Sequence, residues 1–328
     1  MQPEEVGRIA TTASRLQENV ERVIVGKGDV VALTLVAVLC EGHLLIQDVP
    51  GTGKTVLAKA IARSLNCSFR RVQGTPDLLP SDITGTYVFN QQTSAFQFRP
   101  GPIMAQTLLV DEINRATPRT QSALLEAMQE RQVTVEGETM LLPKPFLVMA
   151  TQNPIELEGT FPLPEAQLDR FLMQVSLGYP SQEEDRLILR RFKEKDPLDD
   201  LEPVAQSGEL LDLQHLVRKV HVAPPVEEYI IALVHATRSH PYVDLGASPR
   251  AMLALYRTAQ ALAAVRGRSY ALPDDVKAMV PFVMAHRVVP KTQSHLRGHN
   301  VSDILREVLE SVPVPVEEEV GVADIPLQ

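Results

Sequence analysis

A glycine-rich loop in this chain has the residue types that bind phosphate. It runs from Asp48 to Thr55 with the sequence DVPGTGKT. Glycines let backbone N–H groups approach phosphate oxygens, Lys54 can reach the β- and γ-phosphates, and the Thr55 hydroxyl can ligate Mg²⁺. The pattern GxxxxGK[ST] has glycine where this chain has Asp48, but its core, GxGK[ST], is intact. The loop predicts a nucleotide phosphate site, the alternative being a glycine-rich turn with a solvated lysine.

Two carboxylates, Asp111 and Glu112, follow the apolar run Leu108-Leu109-Val110. Neighbouring residues at a strand end point in different directions and can take different roles. We expect Asp111 to hold Mg²⁺ through water and Glu112 to orient and deprotonate an attacking water. Taken alone, the pair could be a solvated strand end. Its position 57 residues after Lys54 (111 − 54) favours nucleotide hydrolysis.

A polar amide follows a third apolar run, Phe146-Leu147-Val148-Met149-Ala150. Asn153 stands at the end of this run, where its side chain could touch the γ-phosphate or the attacking water. The alternative is that it is a turn-forming asparagine before Pro154.

The elements that must position these residues alternate between strand-like and helix-like patterns. Helix-like stretches at 55–65 and 118–130 separate short apolar runs at 43–47, 107–110 and 146–150. Alternation at this spacing is typical of βαβ units. The predicted fold class is therefore α/β, with a parallel sheet flanked by helices.

Sequence patterns also divide the chain. Residues 1–180 are predicted to form a nucleotide-binding α/β domain, with β-hairpin insertions near 82–99 and 133–142. From residue 181 the pattern becomes helical with proline punctuation, so 181–312 are predicted to form a small all-helical domain. Residues 313–328 are predicted to be a flexible tail.

Composition narrows the function classes. The 328 residues are 44% hydrophobic and 22% charged, typical of a globular protein. The net charge of -9 (32 − 41) argues against a protein that binds nucleic acid mainly by electrostatic attraction. Two cysteines provide neither a disulfide framework nor a CxxC zinc pattern. No signal-peptide pattern opens the chain, and the longest apolar run is too short to span a membrane, so a cytoplasmic location is expected.

Together these segments resemble the MoxR group of AAA+ ATPases. The resemblance covers nearly the whole chain and rests on residues 48–55, 111–115, 121–132, 150–154, 163–171 and 248–251. Members of this group commonly carry an acidic residue where Asp48 sits. The resemblance implies an AAA+ P-loop NTPase core followed by a small helical lid, an ATPase activity, and ATP and Mg²⁺ as cofactors.

The resemblance also implies roles for individual residues. Asn153 resembles the sensor-1 residue, and Arg170 resembles an arginine finger presented to the nucleotide of a neighbouring subunit. Arg250 resembles sensor 2, reaching back to the γ-phosphate of its own subunit, and residues 23–26 resemble the segment that lines the adenine pocket. The alternatives are surface salt bridges for both arginines and a packing strand for 23–26. Other arginines could act near a subunit boundary: Arg115, Arg119 and Arg131.

The predicted site has three parts. The catalytic residues are Glu112, Asn153, Arg170 and Arg250. The nucleotide-binding residues are Val25, Gly26, Pro50, Gly51, Thr52, Gly53, Lys54, Thr55 and Val56. The metal ligands are Thr55 and Asp111.

Similar proteins form rings, usually hexamers, and couple ATP hydrolysis to chaperone-like remodelling or maturation of other proteins, including metal-cofactor insertion. The resemblance therefore implies a self-assembled ring, client proteins and a separate partner that carries a von Willebrand factor A domain. Three alternatives stay open: a nucleic-acid-stimulated motor, the motor subunit of a metal chelatase, and a nucleotide-gated switch with little turnover.

Overall fold

A parallel sheet forms the centre of the molecule, which is a computed structural model in which residues 1–154, 159–292 and 299–315 are described. The strands are β1 (Leu44–Gln47), β2 (Phe69–Gln73), β3 (Gly85–Asn90), β4 (Ala95–Pro100), β5 (Thr107–Asp111), β6 (Gln132–Val135), β7 (Glu138–Leu141), β8 (Leu147–Gln152), β9 (Met173–Val175), β10 (Val243–Leu245) and β11 (Val289–Pro290). Five of them pair in parallel in the order β2-β5-β8-β1-β9. The predicted α/β class is confirmed.

Helices surround this sheet and continue beyond it. They are α1 (Pro3–Glu21), α2 (Gly28–Leu39), α3 (Lys54–Ser64), α4 (Pro80–Thr84), α5 (Pro118–Glu130), α6 (Glu165–Leu168), α7 (Gln182–Arg191), α8 (Ser207–Val217), α9 (Pro224–Ser239), α10 (Pro249–Val265), α11 (Pro273–Met284) and α12 (Val301–Ser311). Proline stands in the first turn of several helices, where its missing N–H costs no hydrogen bond.

Alternate residues of the central strands pack on opposite faces of the sheet. In β5, Leu109 joins an apolar cluster that includes α3, while Leu108 and Val110 join a second cluster that includes α5. All five residues of β5 are buried, as expected for a parallel strand covered on both faces. This explains why its sequence is a continuous apolar run.

Two antiparallel hairpins project from the first half of the chain. Within the described residues, strands β3 and β4 pair only with each other, and so do β6 and β7. At the base of the first hairpin, Gly101 approaches the chain closely: a Cβ there would lie 2.2 Å from the carbonyl oxygen of Ile83.

The second half of the chain is mostly helical. Helices α8 to α11 pack against α1, α2 and one another, so their buried apolar side chains continue the cluster on the α3 side of the sheet. No helix of the described residues is both long and apolar enough to span a membrane. Beyond residue 315, the predicted tail lies outside the described residues.

Candidate active site

The carboxyl ends of four strands meet around a cavity of about 370 Å³. Parallel strands carry their functional side chains to the same edge of a sheet. The lining residues come from β2, β5, β8 and the loop after β1: Asp48, Pro50, Gly51, Gly53, Lys54, Thr55, Val56, Arg71, Gln73, Asp111, Glu112, Thr151, Gln152 and Asn153. The structure thus brings most of the predicted phosphate, metal and catalytic residues together.

The phosphate loop adopts the conformation that its glycines were expected to permit. Gly51 and Gly53 have φ values of 83° and 89°, in the left-handed region where a side chain would be strained. Gly53 is also the N-cap of α3, so the first N–H groups of this helix point towards the cavity. Lys54 lies against the loop, where its Nζ donates to the Val49 carbonyl at 2.5 Å.

Asp48 ties this loop to a distant segment. Its buried carboxylate accepts hydrogen bonds from the backbone N–H groups of Val49 at 2.9 Å, Leu177 at 2.8 Å and Gly178 at 2.8 Å. A glycine here, as in the general pattern, would leave the latter two N–H groups without this acceptor. The departure from the pattern therefore stabilises the position of the loop beside the chain that follows β9.

The two acidic residues at the end of β5 diverge, as predicted. Glu112 has a φ of 54°, which turns the chain sharply at the strand end and is uncommon for a non-glycine residue. Asp111 is buried, and its carboxylate accepts from the Thr151 hydroxyl at 3.3 Å and from Arg71 Nε at 2.6 Å. Glu112 is partly exposed and accepts from Gln73 Nε2 at 2.9 Å.

The sequence patterns did not reveal Arg71 and Gln73. Both lie on β2, where alternate residues face the same side of a strand. Only Val72 of β2 is buried, so the strand carries no apolar run that would have predicted it. The alternation of Arg71 and Gln73 was the one available signal, and it became informative only once β2 was paired with β5.

The cavity fits a magnesium ion bound with a nucleotide. Thr55 supplies a hydroxyl and Asp111 a carboxylate, which are the hard oxygen donors that Mg²⁺ prefers. The described residues contain no group of three or more His, Cys, Asp or Glu side chains arranged for a metal. Such a site suits Mg²⁺, which commonly keeps several waters and is held by one or two protein groups plus substrate phosphates.

An apolar cleft of about 210 Å³ adjoins the phosphate loop. Val25 and Val56 line it, together with Ile24, Leu177 and Phe192. This lining provides an apolar surface beside the phosphate loop. Gly26 flanks the cleft with a φ of 69°, and a Cβ there would collide with the Glu184 side chain.

A second cavity of about 370 Å³ lies at the opposite end of β1. Glu41, Gly42 and His43, which precede β1, line this cavity, whereas the phosphate loop follows the strand. Of the residues that the structure describes, six arginines contribute to it: Arg131, Arg170, Arg218, Arg250, Arg257 and Arg287. The structure therefore brings Arg170 and Arg250 together and separates both from the phosphate-loop cavity.

Two segments of the chain match models of known protein families. Residues 43–173 match the ATPase family associated with various cellular activities (AAA), and residues 235–308 match the AAA lid domain. The chain is 49% identical to YeaC of Bacillus subtilis over 300 residues, 92% of this chain and 94% of that one. It is 42% identical to Chaperone MoxR1 of Mycobacterium tuberculosis over 313 residues, 93% of this chain and 82% of that one.

The chain belongs to the MoxR family of AAA+ ATPases. A solved structure supports the same conclusion at the level of the fold. The crystal structure of a Cytophaga hutchinsonii protein assigned as an ATPase superposes with a TM-score of 0.90 at 35% identity, over 95% of this chain and 98% of that one.

For a MoxR chain, the position of Arg250 differs from the expectation. Arg250 was expected to reach the γ-phosphate of its own subunit, but it lines the second cavity and donates to Gln129 Oε1 at 3.2 Å. The reason is that α10, which carries Arg250, begins beside the segment after α6 at the amino end of the sheet. Arg250 therefore lines the second cavity and not the phosphate-loop cavity of its own chain.

Two of the other candidate arginines of the MoxR chain, Arg115 and Arg131, have partners of their own. Arg115 pairs with Glu112 at 3.3 Å. Arg131 donates to the backbone carbonyls of Phe146 and Glu41, and burial lowers its pKa. By contrast, Nε of Arg170 is buried without a hydrogen-bond partner among the described residues. These contacts favour Arg170 over Arg115 and Arg131 as the group that a neighbouring molecule would engage.

Proposed function

We propose that this MoxR chain hydrolyses ATP where two subunits of a ring meet. The observation that supports this is the separation of two groups of residues. Lys54, Asp111 and Glu112 lie at the carboxyl end of the sheet, while Arg170 and Arg250 lie at its amino end. Strand β1 lies between the two ends and spans about 13 Å, at about 3.3 Å per residue for four residues. The arginines of one chain would then complete the nucleotide site of the next.

Each residue has a definite role in the proposed reaction. Lys54 and the N-terminus of α3 bind the phosphates, and Glu112 takes a proton from the attacking water. Asn153 holds the γ-phosphate or that water from the end of β8. Mg²⁺ bound through Thr55 and Asp111 would offset charge on the β- and γ-phosphates. A guanidinium from the neighbouring chain would stabilise the charge that spreads over the γ-phosphoryl oxygens, an effect of roughly 10³–10⁵ in rate.

The proposed biological output is mechanical work on other proteins. A nucleotide at an interface couples its hydrolysis to movement of one subunit against the next. We place this activity in a ring, a hexamer by the family resemblance, that remodels or matures client proteins. Metal-cofactor insertion and a separate partner with a von Willebrand factor A domain are parts of this proposal. The relative MoxR1 is named a chaperone.

The test compares Glu112→Gln with Lys54→Ala in ATP-binding and ATPase assays. Glu112→Gln should bind ATP with near-normal affinity and hydrolyse it about 10²–10⁴-fold more slowly, because the general base is lost. Lys54→Ala should lose affinity for ATP. Glu228→Gln is the matched control, since Glu228 is an exposed glutamate on α9, and it should behave as wild type.

Two results would contradict the proposal. Near-normal turnover by Glu112→Gln would show that another base acts. Strong stimulation of the wild-type ATPase by DNA, with a steep dependence on salt, would instead favour the nucleic-acid motor.

A further inference from the structure

The carboxylate of Asp169 contacts two elements of the helical half at once. Asp169 immediately precedes Arg170, and its oxygens lie 2.7 Å from Arg287 Nε and 3.0 Å from the Ser248 hydroxyl. Ser248 is the N-cap of α10, two residues before Arg250. One carboxylate therefore connects the segments that carry both proposed trans-acting arginines.

Arg287, which follows α11, holds this segment through several further bonds. Its guanidinium donates to the carbonyls of Asp169 at 3.2 Å, Phe171 at 2.5 Å and Leu172 at 3.0 Å. Its side chain is only 3% exposed, and burial lowers its pKa while the bond to Asp169 opposes that shift. A buried charge is tolerated when it is paired and hydrogen-bonded in this way. The chain around Arg170 is thus fixed to the end of α11.

Ser248 extends the same network into α10. Its Oγ accepts from the N–H groups of Arg250 at 3.1 Å and Ala251 at 3.3 Å. A hydroxyl has one proton and two lone pairs, so donation of that proton to Asp169 leaves the lone pairs for the two N–H groups. These bonds fix the direction of the first turn of α10, and with it the backbone of Arg250, relative to Asp169.

We propose that Asp169 is a positioning residue that holds Arg170 and Arg250 as one rigid unit. The inference rests on the proposed trans-acting role of these arginines and adds that they act as an aligned pair. It also implies that the first turn of α10 moves with the Arg170 segment and not with the phosphate loop of its own chain. Loss of the link would leave both guanidinium groups present but misaligned, and a displacement of 1 Å can cost about 10² in rate.

The kinetic test uses Asp169→Asn and Ser248→Gly in the full chain. Glycine keeps most of the N-cap preference but removes the hydroxyl that donates to Asp169. Each variant should lower kcat at least about tenfold while the affinity for ATP stays within about twofold, since the phosphate loop is untouched. The double variant should be no slower than the slower single variant, because the two groups act as a unit. Ser248→Thr, which retains the hydroxyl, should keep a near-normal kcat.

The control is Asp275→Asn. Asp275 is a fully buried carboxylate that pairs with Arg266 at 2.9 Å and Arg268 at 2.6 Å elsewhere in the helical half. Its loss should lower the thermal stability but leave kcat per folded chain near normal. An equal fall in kcat for Asp275→Asn would attribute the effect to stability and overturn the inference.

Hydrogen–deuterium exchange without nucleotide separates this inference from the proposed function. In Asp169→Asn, amides in residues 165–172 and in the first turn of α10 should lose protection together. Unchanged protection in α10 would overturn the inference even if the ATPase rate fell. A normal ATPase rate in Arg170→Ala would overturn the proposed function, yet joint loss of protection would still support the coupling through Asp169.

Discussion

His43 lies at the amino end of β1, and both of its ring nitrogens are used. Nδ1 accepts from the backbone N–H of Val148 at 3.0 Å, which leaves the proton on Nε2, 3.1 Å from the Met128 carbonyl. A second proton would face the Val148 N–H. Burial, aided by the nearby charge of Arg131, lowers the pKa of His43 to about 3. Burial likewise lowers the pKa of His286 to about 3.

Because both histidines are buried in the neutral form, we expect the folded protein to lose stability as the pH falls. Between about pH 6.5 and 3, each histidine is protonated in the unfolded chain but not in the folded chain. The free energy of unfolding therefore falls by about 1.4 kcal/mol for each histidine as the pH falls by one unit. Urea unfolding at pH 7 and pH 5 tests this with His43→Gln. That variant should be less stable at pH 7 but should lose about 2 kcal/mol less than wild type between the two pH values. Equal losses in the two proteins would show that His43 is protonated in the folded chain.

Among the elements, the β3–β4 hairpin is largely exposed to solvent. Its two strands pair with each other, and its tip carries the rings of Phe89 and Phe96, whose centroids are 5.4 Å apart. Phe96 is 69% exposed, whereas Phe171, two residues before β9, is completely buried. The hairpin therefore contributes little apolar burial to the core.

Substitutions at these two phenylalanines should therefore differ in their effect on the stability of the protein. Phe96→Ser should change the free energy of unfolding by no more than about 0.5 kcal/mol, as for other exposed positions. Phe171→Ala, the buried comparison, should cost about 3–5 kcal/mol because it leaves a cavity. Urea denaturation of both variants measures this. A loss above about 2 kcal/mol for Phe96→Ser would show that the hairpin tip packs against the body of the protein.

At the scale of the whole molecule, the proposed site combines residues from opposite ends of the sheets of two neighbouring chains. We therefore expect two inactive variants, each defective at a different end, to restore ATPase activity when they are mixed. Arg170→Ala alone should hydrolyse ATP poorly because it lacks the proposed trans arginine, and Lys54→Ala alone because it cannot bind ATP. In mixed rings, an intact phosphate loop of the Arg170→Ala chain can meet an intact Arg170 of the Lys54→Ala chain. Steady-state ATPase assays across mixing ratios should show recovered activity.

The matched control mixes Lys54→Ala with Glu112→Gln. Both changes lie in the phosphate-loop cavity, so no interface between these chains is complete, and activity should stay low. Absence of recovery at every ratio of Arg170→Ala to Lys54→Ala would count against Arg170 as the trans arginine.

Local patterns were sufficient to single out the phosphate loop, Asp111 and Asn153, which line one cavity in the structure. The phosphate loop is a contiguous segment between a strand and a helix, and Asp111 and Asn153 each stand at the end of an apolar run. Parallel strands necessarily bring such ends together. The same logic missed Arg71 and Gln73, because β2 is largely exposed and lacks an apolar run.

By itself, the sequence determined the fold class, the phosphate loop and the carboxylates, since each depends on neighbours within a few residues. Only the tertiary structure decided where Arg250 lies and what Asp169 does. The bonds from Asp169 to Ser248 and Arg287 span 79 and 118 residues. No periodicity or spacing encodes contacts of that range, because they arise from how helices pack against the sheet once both have formed.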